Sequence, residues 1–379
     1  ALRPVPVVVV EGVATGQTPP ITVRRIAINP RLRSLLQRRI EIDDVEIEGA
    51  VFPRTSVRAF CGRGEGADHP SGEWSVAPVP VARVRFSDVA WIDRREIALA
   101  YDGRIEFDAD WRPRSAEVAR RDVTPPARLT LAREGADADR WRTDIEVGGG
   151  SWSGTTELRT SADRRLHLHA DLSPRNVDIK LLTAAFKRSA PIEGRIEGST
   201  TVDAEGADMG ELVRGLRTQT RFRVRPATLL RFDLAKAVVT AGISRGGQTP
   251  LDEFTGTLGT QATDDGLVLR YTDLKARSGV LTASGNATMM NRRIDGNAAV
   301  DLVDGVVGVP LRIGGTVDAP ELSLTGGALT GAAVGSAVLP GVGTAIGARI
   351  GQKMEQMFGD GKPKPAPASK SRAAGQRSN

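Results

Sequence analysis

Apolar and polar residues alternate with a period of two through most of this chain. Ile105–Trp111 reads Ile-Glu-Phe-Asp-Ala-Asp-Trp, Thr143–Val147 reads Thr-Asp-Ile-Glu-Val, and Leu166–Leu172 reads Leu-His-Leu-His-Ala-Asp-Leu. Successive side chains of a strand point to opposite faces, so each run predicts a strand with one apolar and one wetted face. In Ile40–Ile47 the doubled Asp43-Asp44 shifts the phase by one residue. A β-bulge at that point would keep Ile40 and Ile42 on the same side as Val45 and Ile47.

Turn-forming dipeptides punctuate these runs. Asp102-Gly103, Asp265-Gly266, Asp295-Gly296 and Asp304-Gly305 are hairpin or loop signals, and together they predict a meander of antiparallel strands. Helical patterns are few and short. Pro30–Arg39 reads as an amphipathic helix with Pro near its first turn, Asp178–Lys187 as another with Asp178 near its start, and Asp208–Leu216 as a third.

The predicted fold is therefore mainly β. It is an elongated antiparallel β-sheet curled into an apolar groove or flattened tube, with few short helices. About 18 strands at about 4.8 Å spacing would extend roughly 85 Å. A sheet with one apolar face must close, pack on a second layer or hold an apolar ligand. So few helices make a poor lid, which favours a groove whose lining is occupied.

Residues 322–348 carry no charge. Gly327, Gly331 and Gly335 form one small-xxx-small series, and Gly343, Gly347 and Gly351 form another beyond Pro340-Gly341. That spacing lets helices approach closely. The length would cross a bilayer, but Gly and Ala gain little from hydrocarbon. A C-terminal Gly-zipper helical hairpin is favoured over a single span, and a flexible Gly/Ala linker is the plainer alternative. The polar, Pro-rich basic tail after Asp360 is expected to be disordered.

Composition narrows the chemistry. Of the 379 residues 40% are hydrophobic but only 4% aromatic, while Gly numbers 42. The apolar content is thus spread over Val, Ile, Leu and Ala, as in a long sheet. Cys61 is the only cysteine, so an intrachain disulfide is excluded. No Gly-x-Ser-x-Gly elbow, phosphate loop, His-Glu-x-x-His or Cys-x-x-Cys motif occurs. His167 and His169 share one strand face but lack a third ligand, and read as solvated residues. Asp43, Asp44, Glu46 and Glu48 read as a charged outer face rather than a carboxylate pair. No enzyme, cofactor or metal is expected.

The net charge is +6. Arg residues alternate along strands, as in Arg221–Arg225, without stacking aromatics between them, so nucleic acid is not an expected partner. Arg24, Arg25, Arg31, Arg33, Arg38 and Arg39 crowd the first predicted helix. Two readings stay open for them: a membrane-facing patch, or a solvated face answered by the acids of Glu41–Glu48. The opening Ala1-Leu2-Arg3-Pro4 has no leader and no spanning helix. An anchor preceding Ala1 is the expectation.

At this point the order of motifs resembles the AsmA family. Ile21–Ile26, then Leu32–Ile42 and Ile47-Glu48-Gly49, resemble its early strand, Leu-rich helix and following strand. Asn176–Leu182 with Pro191–Gly194, then Gly198–Asp203, Phe222-Arg223-Val224, Leu267–Leu274 and Gly279–Ala287 resemble its C-terminal domain. Val309–Pro320 (Val-Pro-Leu-Arg-Ile-Gly-Gly-Thr-Val-Asp-Ala-Pro) resembles the family's closing run. The resemblance covers roughly residues 21–325 and is weakest in the middle. It implies a bacterial periplasmic β-groove anchored in the inner membrane and supporting lipid traffic or outer-membrane assembly.

The expected organisation is an N-terminal strand-helix-strand element over 1–60, a β-meander over 61–175 and an AsmA-like C-terminal β-domain over 176–325. A helical hairpin over 326–358 and a basic tail over 359–379 follow. Ile40, Ile42, Ile105, Phe107, Leu166, Leu168, Phe222 and Val224 are the candidate lipid-binding residues. Each methylene buried there is worth about 0.8 kcal/mol, with no specific polar contact required. The expected partners are phospholipid, the inner membrane and an envelope protein. A scaffold or assembly factor with a closed β-core and a docking Gly-zipper is the alternative, and an enzyme a distant third.

Overall fold

In this computed structural model the described residues are 7–56, 75–93, 95–108, 112–135, 139–239, 246–263, 265–302 and 309–324. The predicted hairpin with Gly327, Gly331, Gly335, Gly343, Gly347 and Gly351, the basic tail, Cys61 and Asp304-Gly305 lie outside them. Strand dominates, and 21 strands join in one sheet.

In chain order the first strands are β1 (Val8–Ala14), β2 (Thr22–Pro30), β3 (Arg39–Pro53), β4 (Ser75–Val81), β5 (Arg83–Ile92), β6 (Ala98–Phe107) and β7 (Pro113–Arg120). There follow β8 (Arg128–Arg133), β9 (Arg140–Val147), β10 (Gly150–Thr160), β11 (Leu166–Arg175), β12 (Val177–Asp178), β13 (Ile192–Gly206) and β14 (Arg217–Leu230). The last are β15 (Gln248–Leu251), β16 (Glu253–Thr263), β17 (Gly266–Arg277), β18 (Leu281–Met290), β19 (Arg293–Leu302), β20 (Val309–Gly315) and β21 (Pro320–Leu324). Short helices interrupt them: α1 (Leu32–Leu35), α2 (Ile179–Ala185), α3 (Met209–Arg214) and α4 (Leu234–Val239).

The sheet is open. Among the described residues β1 pairs only with β2 and β21 only with β20, so the two ends do not meet and no tube closes. Among the described residues pairing is antiparallel except at one seam, where β3 runs parallel to both β4 and β5. The antiparallel meander expected throughout therefore breaks between residues 53 and 83. The sheet is continuous across residues 175 and 176, because β11 and β12 both pair with β13.

The bulge expected at Asp43-Asp44 is present. Asn29 faces Asp44 and Pro30 faces Ile42, which leaves Asp43 as the extra residue. Two dipeptides taken as turns lie inside strands instead. Asp102-Gly103 is central to β6, where Gly103 makes room: a Cβ there would sit 2.6 Å from a Phe86 ring carbon. Asp295-Gly296 lies within β19, whereas Asp265 falls between β16 and β17 as expected. The two-residue hairpin at Gly148-Gly149, with φ of 60° and 70°, joins β9 to β10 with the positive φ pair that suits strand twist.

The helices follow their caps. Asp178 accepts from the Leu181 N–H at 3.0 Å and starts α2. Asp208 accepts from the Glu211 N–H at 2.7 Å, while the Glu211 carboxylate accepts from the Ala207 N–H at 2.8 Å, a reciprocal box that starts α3. The helix expected over Pro30–Arg39 shrinks to four residues, since Pro30 belongs to β2, Arg31 supplies no side-chain cap and Arg38 turns to φ 55°. Sequence reading missed α4, whose signal was Asp233 accepting from the Lys236 N–H at 2.9 Å.

Candidate functional site

Register decides which side chains share a face, because residues directly opposite on paired strands point the same way. From Ile26 and Ile28 the chain of partners runs to Ile47 and Val45, then to Phe86 and Val84, and on to Ile105. It continues through Ala116, Leu131, Thr143, Gly154 and Leu172 to Thr200, Thr220 and Leu258. Alternation from these anchors places Ile40, Ile42, Ile105, Phe107, Leu166, Leu168, Phe222 and Val224 all on one apolar face. Eight residues picked from separate runs thus belong to one surface.

That face is covered unevenly. Around β9 to β13, Ala185, Leu182 and Phe186 of the α2 segment pack on Val147, Val177, Ile145 and Trp152. Toward the other end, Phe232 and Leu234 enter a core with Phe222, Val224, Leu251, Leu281, Val300, Leu311 and Leu322. The Phe222 and Phe254 rings meet there with centroids 5.5 Å apart. Phe222 is 8% exposed and Val224 1%, so protein side chains already occupy the place assigned to a ligand at these two positions. A small cavity of about 120 Å³ remains beside them, lined by Phe254, Leu274, Ala276 and Ala283 among others.

The other six candidates are half-buried. So are their neighbours on the same face: Ile26, Ile28, Val45, Ile47, Phe86, Val118, Leu129, Leu131, Leu158 and Val202. α3 shields only the rim beside β11 and β13, where Leu212 is buried. Over β2 through β8, α1 lies beside β3 and the end of α2 reaches β7, where buried Arg120 donates to the Ala185 carbonyl at 3.1 Å beside buried Leu99 and Ala116.

Hydroxyl groups interrupt the apolar face in its middle. Thr143 and Thr156 hydrogen-bond at 2.6 Å, Thr200 and Thr220 at 2.9 Å, and Thr218 and Thr260 at 2.6 Å. Thr200 also accepts from the Trp152 indole N–H at 2.9 Å. Composition and periodicity concealed this feature, since Thr is ordinary in strands and its pairs form only across them.

The opposite face is charged and paired. Arg165–Glu205 (2.6 Å), His169–Asp203 (2.7 Å), Arg223–Glu253 (2.8 Å), Arg104–Glu117 (3.1 Å) and Arg83–Glu106 (3.2 Å) are cross-strand or diagonal pairs. Exposed pairs contribute about 0–1 kcal/mol each, so they keep this face wet and in register more than they stabilise it. Asp44 lies on this face with Glu46 and Glu48 but is only 6% exposed, held beneath Arg85 and Asn29. His167 and His169 stand side by side as predicted. Hydrogen bonding to Asp203 raises the His169 pKa from its ordinary value. Among the described residues no group of three His, Cys, Asp or Glu side chains could hold a metal ion. A recess also lies on this side, over β18 to β21, between Arg293, Asp295, Arg312 and Glu321.

The six arginines near α1 are not gathered into one patch. Arg24 shares the apolar face and Arg25 the charged one. Arg31 bonds Asp43 at 2.6 Å and Glu41 at 2.8 Å, and Arg39 approaches Glu41 at 3.4 Å, so the acidic run answers these two. Arg33 and Arg38 flank exposed Leu32 and Leu36, which are 50% and 87% accessible. Among the described residues no helix is long and apolar enough to cross a membrane, which leaves membrane-crossing strands untouched by that statement. Set against protein-family models, curated proteins and solved structures, the chain matches none.

Proposed function

We propose that the chain binds or conducts phospholipid acyl chains along the apolar face of its sheet, as a non-enzymatic component of the bacterial envelope. One observation carries this reading: a single apolar face, followed by register from β2 to β16, on which Ile40, Ile42, Ile105, Phe107, Leu166 and Leu168 stay half-buried. Burying apolar surface is worth about 25 cal/mol per Å², so such a face in water favours an apolar occupant. Acyl chains lying across the strands would cover Ile40, Ile42, Ile105, Phe107, Leu166 and Leu168. The resemblance to the AsmA family supports a periplasmic, inner-membrane-anchored setting and a role in outer-membrane lipid homeostasis or assembly.

The test is a native mass spectrum of protein extracted gently from a bacterial envelope. Bound phospholipid is expected, and Leu168→Glu lowers it. Lipid-free protein that stays lipid-free after incubation with phospholipid vesicles overturns the reading.

A second reading, a scaffold or assembly factor, is favoured by the packed core around Phe222, Val224, Leu281 and Leu311. In that case the C-terminal strands form a closed unit, and the half-buried residues of the apolar face dock a protein rather than a lipid.

A further inference from the structure

The threonines on the apolar face have more hydrogen-bond donors than acceptors use. Thr143 with Thr156 and Thr218 with Thr260 each make one bond from two hydroxyl protons. The chain Trp152, Thr200, Thr220 makes two bonds from three protons, whichever way the hydroxyls rotate. One proton per group is therefore left without an acceptor among the described residues. Thr143, Thr200 and Thr220 are 4%, 7% and 6% exposed, whereas Thr156, Thr218 and Thr260 are half-buried, so in two of the three groups the spare proton can sit on a hydroxyl that opens to the face.

Their placement is regular. Thr156, Thr218 and Thr260 lie in one cross-strand row with Ala170 and Val202. Thr143, Thr200 and Thr220 lie in the next row with Gly154 and Leu172. The two rows cross six strands from β9 to β16, a distance of about 24 Å at the usual strand spacing. They run between Leu168 on one side and Phe222 on the other, along the direction proposed for the acyl chains.

We infer that this hydroxyl belt recognises the ester carbonyls of acyl lipids, an inference that rests on the lipid-binding reading above. An ester carbonyl is a neutral acceptor with no proton of its own, which complements a lone O–H donor. A fatty-acid carboxylate would need a cation. Arg133, which shares the face through its partner Trp141, is already held by Asp108 and Asp139. The belt thus selects ester-linked lipid over bare hydrocarbon or free acid.

The experiment compares two phosphatidylcholines with identical chains, one diester and one diether, presented in vesicles and counted on the protein by native mass spectrometry. The wild-type chain is expected to hold the diester at about fivefold higher occupancy, the value of one net hydrogen bond. The variant Thr143→Val/Thr156→Val/Thr218→Val/Thr260→Val removes two of the free donors together with their partners. Replacing both members of a bonded pair by groups of the same shape leaves no orphan, so its melting temperature should stay near wild type. Its diester occupancy should fall toward the diether level, with diether binding unchanged. Equal occupancy of the two lipids by wild type, or an undiminished preference in the folded variant, overturns the ester inference alone. Binding of neither lipid overturns the lipid reading beneath it.

Discussion

Asp44 accepts two hydrogen bonds from one guanidinium, Arg85 Nε at 3.1 Å and Nη2 at 2.6 Å, across the parallel seam between β3 and β5. A two-point clamp fixes orientation as well as charge. It sits two residues beyond Ile42, after the Asp43 bulge, where the sheet abandons its meander. The seam joins strands far apart in sequence, and parallel pairing is slightly weaker per residue than antiparallel.

Asp44→Asn should therefore loosen this seam. The bond to a charged acceptor is worth about 1.5–3 kcal/mol, and the half-exposed Arg85 places the loss at the lower end. Hydrogen bonding by Arg85 holds the Asp44 carboxylate below the ordinary value, against the opposing effect of burial. The contribution is therefore full above the ordinary carboxylate pKa and is lost as pH falls through the depressed one. Hydrogen exchange of β3 and β5 amides should be faster in Asp44→Asn at pH 6. The difference from wild type should close in strong acid.

His169 gives the opposite sign. Its pKa is raised, chiefly by the bond to Asp203 and then by Asp171, so the stability it contributes is present below the ordinary histidine value, about 6.5. That contribution disappears as pH rises through the folded value. An NMR titration should place His169 above an ordinary histidine, and Asp203→Asn should lower it. In His169→Gln the melting temperature should change less between pH 6 and 8 than in wild type.

The turn at α1 should touch an anionic bilayer if the envelope reading holds. Leu32 and Leu36 are exposed beside Arg33, and a basic side chain near such a surface is worth about 1 kcal/mol. Leu32→Ser/Leu36→Ser should reduce sedimentation with anionic vesicles severalfold while leaving the melting temperature unchanged. Sedimentation equal to wild type would assign these leucines to a protein contact instead.

Alternation and turn chemistry made much of this architecture legible in the sequence. The period of two in Leu166–Leu172 placed Leu166 and Leu168 on the apolar face, and the phase slip at Asp43-Asp44 located a real bulge. Local signals failed where long-range pairing decided. Asp102-Gly103 looks like a turn, yet β5 and β7 flank it and the missing side chain admits the Phe86 ring. Nothing local announces that β5 returns parallel to β3. Composition of a strand also says nothing of depth: Phe222 and Leu168 occupy the same face, but Phe222 lies in a filled core with Phe232 and Leu234 while Leu168 stays half-buried.

That difference separates two substitutions which look alike in sequence. Phe222 packs on Phe254 and lies in one cross-strand row between Gly198 and Gly256, and a Cβ at Gly256 would sit 3.2 Å from its ring. Removing the ring opens a void in a filled core, and Phe222→Ala should cost about 3–5 kcal/mol. Leu168 faces Leu158 and Ala204 across its neighbours and is half-buried, with its open side turned to the apolar face. A glutamate at 168 can keep its carboxylate wet, so Leu168→Glu should shift the melting temperature only slightly. Lipid occupancy should behave the other way round. Below its lowered melting point, folded Phe222→Ala should retain phospholipid at the wild-type level, while Leu168→Glu should lose most of it. A Leu168→Glu protein that melts as wild type and still carries its full lipid complement would place the acyl chains elsewhere. A Phe222→Ala protein that folds stably but comes out empty would move them into the C-terminal core.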